Sequence, residues 1–358
     1  MKKIAFWNNK GGTGKTTLAF QTACMLAKTN RELNILILDL CPQANLSELF
    51  LGSLNGNGGT LLEKLQKDQN YRKTVGGYFQ NRFKQPYANP DFQPEKFLIT
   101  PSEYNHSIPG NIKLLCGDPI VEIQAEAISS LANADIPGVN TWKQVQSWLI
   151  DFVKALSDTY QYVFIDTNPS FAIYTQLALI CSDELYIPVM ADDSSRRSLQ
   201  NALALLYGIG SNAQGYESYS FNEKLRNAGL KPPKIGLVIN NRTTQYMGQA
   251  SAYRSVLSAI TGTIKTAYRS NSDVFVPDFS FEAMIPDIRD FQTTGVVASA
   301  EGCPFISLNS GKHTIEGRET QITKQNISNC QDSILSIVSH ITRDRQRIAS
   351  FKQSEYYD

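Results

Sequence analysis

The sequence predicts an α/β chain with a doubly wound, mostly parallel sheet covered by helices on both faces. Three observations carry this. An apolar strand at residues 4–7 runs straight into a glycine-rich turn and then a helix. A second wholly apolar run, Ile35-Leu36-Ile37-Leu38, follows that helix. Runs of the same kind then recur with helical stretches between them. Strands that are apolar at every position, rather than at alternate ones, are buried on both faces, as in a parallel sheet flanked by crossover helices.

Taken in order, Ile4-Ala5-Phe6-Trp7 is the first strand. The turn Lys10-Gly11-Gly12-Thr13-Gly14-Lys15 follows, and then a helix over about 16–28, with Leu18, Thr22, Met25 and Leu26 at helical spacing. Residues 52–110 break the alternation. The stretch 52–59 is rich in Gly and Asn, and Pro86, Pro90, Pro94, Pro101 and Pro109 crowd its second half. This is an insertion, part helix and part loop. Buried strands resume at 112–115, 162–165, 185–189 and 235–239, with helices at 142–156 and 199–206. An irregular stretch covers 211–233. A polar connector spans 311–330, and a terminal helix 331–352. The expected organisation is a single domain over 1–358, enlarged by the insertion and ending in the connector and helix at about 311–358. Crossovers should be right-handed and the ligand should sit at the carboxyl ends of the strands.

Composition narrows the function. Of the 358 residues, 34 are Lys or Arg and 33 are Asp or Glu, a net charge of +1. That excludes holding nucleic acid by bulk charge and leaves only local patches. Six cysteines lie far apart, at 24, 41, 116, 181, 303 and 330, with no CxxC and no nearby His. A zinc site or disulfide framework is not expected. The apolar stretch after Lys2 and Lys3 stops at Asn8, too short for a signal-peptide core, and no run reaches the length of a membrane span. The expected location is the cytoplasm.

The strongest signal is Asn9-Lys10-Gly11-Gly12-Thr13-Gly14-Lys15-Thr16-Thr17. Its glycines let backbone N–H groups close around phosphate oxygens, and the following helix adds its positive N-terminal end. Lys15 is placed to reach β- and γ-phosphates, and the Thr16 hydroxyl to ligate Mg²⁺. The usual pattern needs glycine at position 9, where this chain has Asn9.

The sequence KGGTGKTT, with Lys10 five residues before Lys15, resembles the deviant Walker A motif of the ParA/MinD family of P-loop ATPases. The resemblance implies a P-loop fold, ATP and Mg²⁺ as ligands, and a Lys10 that reaches the partner's nucleotide across an ATP-bridged homodimer. Asp39-Leu40-Cys41-Pro42-Gln43-Ala44-Asn45 is similar to the family's DxDPQxN segment, so Asp39 would lie near Mg²⁺ and the attacking water. Tyr162-Val163-Phe164-Ile165-Asp166-Thr167-Asn168-Pro169-Ser170 looks like the family's Walker B, and its Asp166 would hold Mg²⁺ through water. Asn240 is similar to the Asn that reads adenine, and Ile285-Pro286-Asp287 resembles the segment lining the base. On this resemblance the catalytic residues are Lys10, Lys15 and Asp39. The nucleotide is held by Lys10 to Thr17 with Asn240, Pro286 and Asp287, and Mg²⁺ by Thr16, Asp39 and Asp166. The matched segments cover about 1–50 and 111–305.

One position departs from the family. Cys41 stands where typical members carry a second Asp tied to hydrolysis, and a neutral thiol is a poor substitute for a carboxylate. Either hydrolysis is slow, or Cys41 is a tolerated small buried residue. For partners, the basic strip 61–84 (Lys64, Lys67, Arg72, Lys73, Arg82, Lys84, with Tyr71, Tyr78, Phe79 and Phe83 interleaved) reads either as a DNA contact or as a solvated helix face over core aromatics. Arg196 and Arg197 are a second candidate contact, or they pair with Asp192 and Asp193. In the tail, Ile334 to Phe351 with Arg343, Arg345, Arg347 and Lys352 read as a helix packed on the sheet or as a basic amphipathic membrane helix.

The leading expectation is a ParA-like ATPase. Its ATP-bound dimer would bind DNA non-specifically, on the nucleoid, and a ParB-like or other partner would stimulate hydrolysis during segregation of a plasmid, chromosome or mobile element. With the P-loop starting at residue 10, no preceding helix-turn-helix is expected. The alternatives are an ATP-holding switch or scaffold for partner proteins and, further off, a MinD-like membrane-positioning ATPase.

Overall fold

The computed structural model describes residues 1–68, 71–88, 92–211, 215–243, 250–277 and 279–344. Its core is a seven-stranded sheet. In chain order the strands are β1 (Lys2–Phe6), β2 (Ile35–Asp39), β3 (Ile112–Leu115), β4 (Tyr162–Asp166), β5 (Glu184–Val189), β6 (Lys234–Thr243) and β7 (Asp287–Arg289). They lie in the order β3-β2-β4-β1-β5-β6-β7, and every pairing is parallel. The doubly wound α/β expectation is met.

Strand periodicity divides the core into two. Ala5, Leu36, Leu38, Val163, Ile165, Leu185, Ile187 and Val238 face one cluster; Ile4, Phe6, Ile35, Ile37, Phe164, Leu237 and Ile239 face the other. The helix Lys15–Thr29 and the terminal helix Lys324–Thr342 cover the second face. Helices Trp148–Lys154, Ile173–Cys181 and Asp193–Tyr207 cover the first. With each strand buried on both sides, the loops at the carboxyl ends carry the polar chemistry.

The structure corrects several expected elements. The helix expected at 142–156 is broken at Ser147 into Thr141–Gln146 and Trp148–Lys154. There the Ser147 hydroxyl bonds back to the Lys143 carbonyl and competes with the helix ladder. The irregular stretch 211–233 contains the helix Phe221–Ala228, capped by the Ser220 side chain and stopped by Gly229 in the left-handed region. The polar connector is largely a hairpin, β8 (Gly311–Ile315) with β9 (Arg318–Ile322), turning through Glu316 and Gly317, both at positive φ. The terminal helix starts earlier than expected, where the Thr323 side chain accepts from the Asn326 N–H, and ends at Arg343 at φ 62°. Arg345, Arg347, Ile348, Phe351, Lys352 and the final Glu355-Tyr356-Tyr357-Asp358 lie outside the described residues. The helix Ala250–Ser270 and strand β7 had no counterpart in the sequence reading.

The stretch 52–110 is part helix and part loop, as expected, with helices Gly58–Lys67 and Val75–Arg82. It reaches the sheet edge: the Val75 N–H bonds Cys116 O, and Ile99 exchanges bonds with Leu114 of β3. Tyr78 and Phe79 are fully buried in one core with Trp148 and Phe152. All six cysteines are buried free thiols. Among the described residues, no helix is long and apolar enough to cross a membrane.

Candidate functional site

The site is built where β1 leaves the sheet centre. Asn8 is fully buried, donates to Pro188 O at 2.7 Å and accepts from the Lys10 N–H, which anchors the start of the loop. Gly12 and Gly14 take φ of 74° and 92°, a region that side chains avoid. Gly14 then caps the helix Lys15–Thr29 without a side-chain partner for its first N–H groups. A helix N-terminus with open donors behind a glycine loop is a phosphate-binding arrangement. Gly11 to Thr17, the stretch the motif singled out, form this loop and the first turn of the helix.

Two lysines bracket this loop. The Lys15 ammonium is largely buried and donates to Lys10 O at 3.1 Å. Burial lowers its pKa, against the pull of Asp166 and Cys41. Lys10 turns the other way. Its ammonium meets Asp192 Oδ2 at 2.5 Å and Ser195 Oγ at 3.3 Å, at the start of the helix Asp193–Tyr207.

The acids sit on neighbouring strands. Asp39 ends β2, Asp166 ends β4, and the two are register partners. Asp166 Oδ2 accepts from the Thr16 hydroxyl at 2.7 Å, which joins the end of β4 to the glycine loop's helix. Its Oδ1 is buried with no hydrogen-bond partner among the described residues. Both Asp39 oxygens are engaged: Oδ1 takes the Cys41 N–H, and Oδ2 takes the Ser47 N–H and hydroxyl. Burial raises both carboxyls, Asp39 to about 6 and Asp166, with Asp39 beside it, to about 7. Cys41 is pushed up to about 12 by burial and by the two acids. It is a neutral thiol at physiological pH.

On the other side, Asn240 and Asp287 are register partners, and the Asn240 amide donates to Asp287 Oδ1 at 2.7 Å. The Asn240 N–H bonds Pro286 O. The three candidates for the base thus lie together, and Asn240 Oδ1 is buried without a partner among the described residues.

Sequence reasoning missed several contacts. Asn241, not Asn240, touches the loop: its amide donates to Thr13 O at 2.8 Å, and a Cβ on Gly14 would fall 2.2 Å from its Nδ2. The signal was available, since alternation puts Asn241 on the face of Leu237 and Ile239, which packs the P-loop helix. Ser47, Asp192 and Ser195 had no motif to mark them, and Asn168 lay in the Walker B-like segment without a role of its own. The basic strip 61–84 does not form a continuous patch. Lys67 pairs with Glu63, Arg72 with Asp118 and Arg82 with Asp151, while Tyr78 and Phe79 are core. Arg196 and Arg197 both pair with Asp193.

Residues 1–214 match a family model described as an AAA domain. A ParA family protein of Mycoplasma pneumoniae is 27% identical over 240 residues, covering 67% of this chain and 72% of that protein. The chromosome partitioning protein ParA of Myxococcus xanthus is 28% identical over 53% of this chain and 52% of its own length. Among solved structures, a variant of McdA from Cyanothece in complex with ATP superposes with a TM-score of 0.60 at 17% identity, covering 95% of each chain. The pnob8 ParA structure gives 0.55 at 14% identity, covering 96% of this chain and 99% of its own.

Proposed function

The chain belongs to the ParA-type family of P-loop ATPases, and from that premise we propose that it binds Mg²⁺-ATP, dimerises around it and carries DNA-dependent partition of a replicon or mobile element. The observation that carries this reading is the pair of lysines on one glycine loop, Lys15 turned inward to the loop and Lys10 turned away from it. Lys10 is held away from the loop by Asp192 and Ser195 of its own chain, which leaves it available for a nucleotide other than the one Lys15 serves.

The residues fit the ligand. Backbone N–H groups of 11–17 and Lys15 hold the phosphates. Thr16 and Asp166 hold Mg²⁺, with Asp39 behind them, and the unpartnered Asp166 Oδ1 is the oxygen that a hydrated ion would satisfy. Bound Mg²⁺ neutralises phosphate charge during transfer. Asn240 Oδ1 is an acceptor suited to the amino group of adenine. Lys10 reaches the partner's phosphates once Asp192 releases it.

DNA contact falls to the helix Ala250–Ser270, which contains Arg254, Lys265 and Arg269 and no acid. These three are exposed at spacings that share one face. In a dimer the patch is doubled, which suits a chain of net charge +1. A second reading, an ATP-holding switch that regulates partners, is favoured by Cys41, since a neutral thiol cannot act as base.

The test is sedimentation and DNA retention with ATP, ADP or no nucleotide. Wild type dimerises and retains DNA with ATP only. Lys15→Ala loses nucleotide binding. Lys10→Ala binds ATP and stays monomeric. A Lys10→Ala chain that dimerises normally with ATP refutes the trans role. DNA retention independent of nucleotide refutes the partition reading.

A further inference from the structure

We propose that Asn168 is the positioning residue for the attacking water, acting in place of the carboxylate that this chain lacks at Cys41. The inference rests on the ATPase reading above and adds a residue to it.

Strand register brings the two together. Asp39 and Asp166 are partners on adjacent parallel strands, and the Leu40 N–H continues the ladder to Asp166 O at 3.0 Å. Two residues beyond each aspartate come Cys41 and Asn168, which therefore emerge side by side at the carboxyl edge of the sheet. The Asn168 amide donates to Cys41 Sγ at 3.8 Å. Its Oδ1 accepts from the Ser170 N–H at 2.9 Å, which fixes which way the amide faces. The loop bearing it is tied to β1 by the Thr167 hydroxyl on Phe6 O at 2.7 Å. Pro169 brings that loop against the P-loop, its Cγ 3.9 Å from where a Cβ on Gly11 would lie. Lys15, which reads the phosphates, is within electrostatic reach of Cys41.

The two acids at this edge already have partners. Both Asp39 oxygens are used by Cys41 and Ser47. Asp166 is joined to Thr16 and placed for the metal. A thiol is a weak donor and a weak acceptor. Asn168 is half-buried at the mouth of the loop, with one amide hydrogen and one lone pair left after its two bonds. A donor and an acceptor on one rigid amide can hold a water molecule and aim its oxygen.

In the reaction the water oxygen bonds the γ-phosphorus, and the bond from that phosphorus to the bridging oxygen breaks. The electron pair stays on ADP, and both protons of the water leave with the phosphate, one on the attacking oxygen and one passed to another phosphoryl oxygen. Asn168 takes no proton; it supplies alignment, which is worth about 100-fold in rate when lost.

The experiment uses the full chain, wild type and Asn168→Ala, each also in a Cys41→Asp background. Readouts are the affinity of a fluorescent non-hydrolysable ATP analogue, the affinity of ADP with aluminium fluoride as a transition-state mimic, and kcat with KM. Asn168→Ala is expected to leave analogue affinity and KM unchanged, to lower kcat about 100-fold, and to weaken the aluminium fluoride complex by a like factor. In the Cys41→Asp background the same change costs little, because the new carboxylate aligns the water. An unchanged kcat overturns the proposal. So does a parallel loss of analogue affinity and Tm, the mark of a merely structural role, or an equal cost in both backgrounds. A wild type that binds no nucleotide overturns the ATPase reading itself, and this inference with it.

Discussion

The ammonium of Lys10 lies 2.5 Å from Asp192 Oδ2, so the signature lysine of the P-loop is tied to the residue that caps the helix Asp193–Tyr207. That cap is a second duty: Asp192 Oδ1 accepts from the Ser195 N–H at 2.7 Å. The contact couples the glycine loop to the helix that follows β5. For Lys10 to reach across a dimer, this bond must break.

Asp192→Asn is therefore expected to lower the ATP concentration at which the chain dimerises. Asn keeps the cap and removes the charge. Both side chains are partly exposed, so the folded chain should lose less than about 1 kcal/mol. Burial works against the Asp192 charge, but bonds from Lys10, Ser194 and Ser195 prevail and hold it at about 2. Its contribution is present above pH ~4, the unfolded value, and is lost as pH falls toward 2. Analytical ultracentrifugation across an ATP series checks the first point; an unchanged midpoint rejects it.

Gly14→Ala should abolish nucleotide binding and lower Tm. The position has φ 92°, and the new Cβ would strike the Asn241 amide. The backbone strain alone costs about 1–3 kcal/mol. Gly11→Ala has no such φ and nothing nearer than Pro169 at 3.9 Å, so its Tm should hold. Thermal melts of the two variants separate the cases.

The buried acids set a pH signature for the nucleotide-free chain. The Asp166 pKa is raised by burial and by Asp39 to about 7, against about 3.9 unfolded. Between these values the folded chain binds more protons than the unfolded one. The stability from that protonation is complete below pH 4 and is lost as pH rises to 7. Asp166→Asn should remove most of this slope and raise the Tm at pH 8, while losing Mg²⁺-dependent nucleotide binding. Melts from pH 5 to 8 without Mg²⁺ decide it, and identical slopes in the two proteins count against it.

Cys41→Asp is expected to increase steady-state ATP turnover while lowering the Tm of the metal-free chain. The added carboxylate joins Asp39 and Asp166 in a buried place, where like charges repel. A wild type that is already fast, with no gain on substitution, would show that the thiol was never the constraint.

Much of the frame was legible from residues alone. Six of the seven sheet strands announced themselves as apolar runs, with Lys113 of the edge strand β3 the polar interruption, because burial on both faces leaves little room for polar side chains. Strand β7 escaped because three residues, one of them exposed, make no pattern. The hairpin β8–β9 escaped because both its strands are polar outside the sheet. The helix Ala250–Ser270 escaped because its Ser, Thr and Gly residues blur the apolar stripe. At the site, the glycines, Lys15 and Thr16 could be proposed from the spacing of the loop motif, whereas Asp39 and Asp166 were candidates only through the family resemblance of their segments.

By itself, then, the sequence determined six of the strands, the glycine loop and the acids that end β2 and β4, since each is encoded by neighbours along the chain. Tertiary structure alone decided what faces what. Lys10 meets Asp192 across 182 positions, Asn241 meets Thr13 across 228, and Asn168 meets Cys41 across 127. Such contacts follow from strand order and register, which bring distant segments to one edge of a parallel sheet, and no local spacing records them.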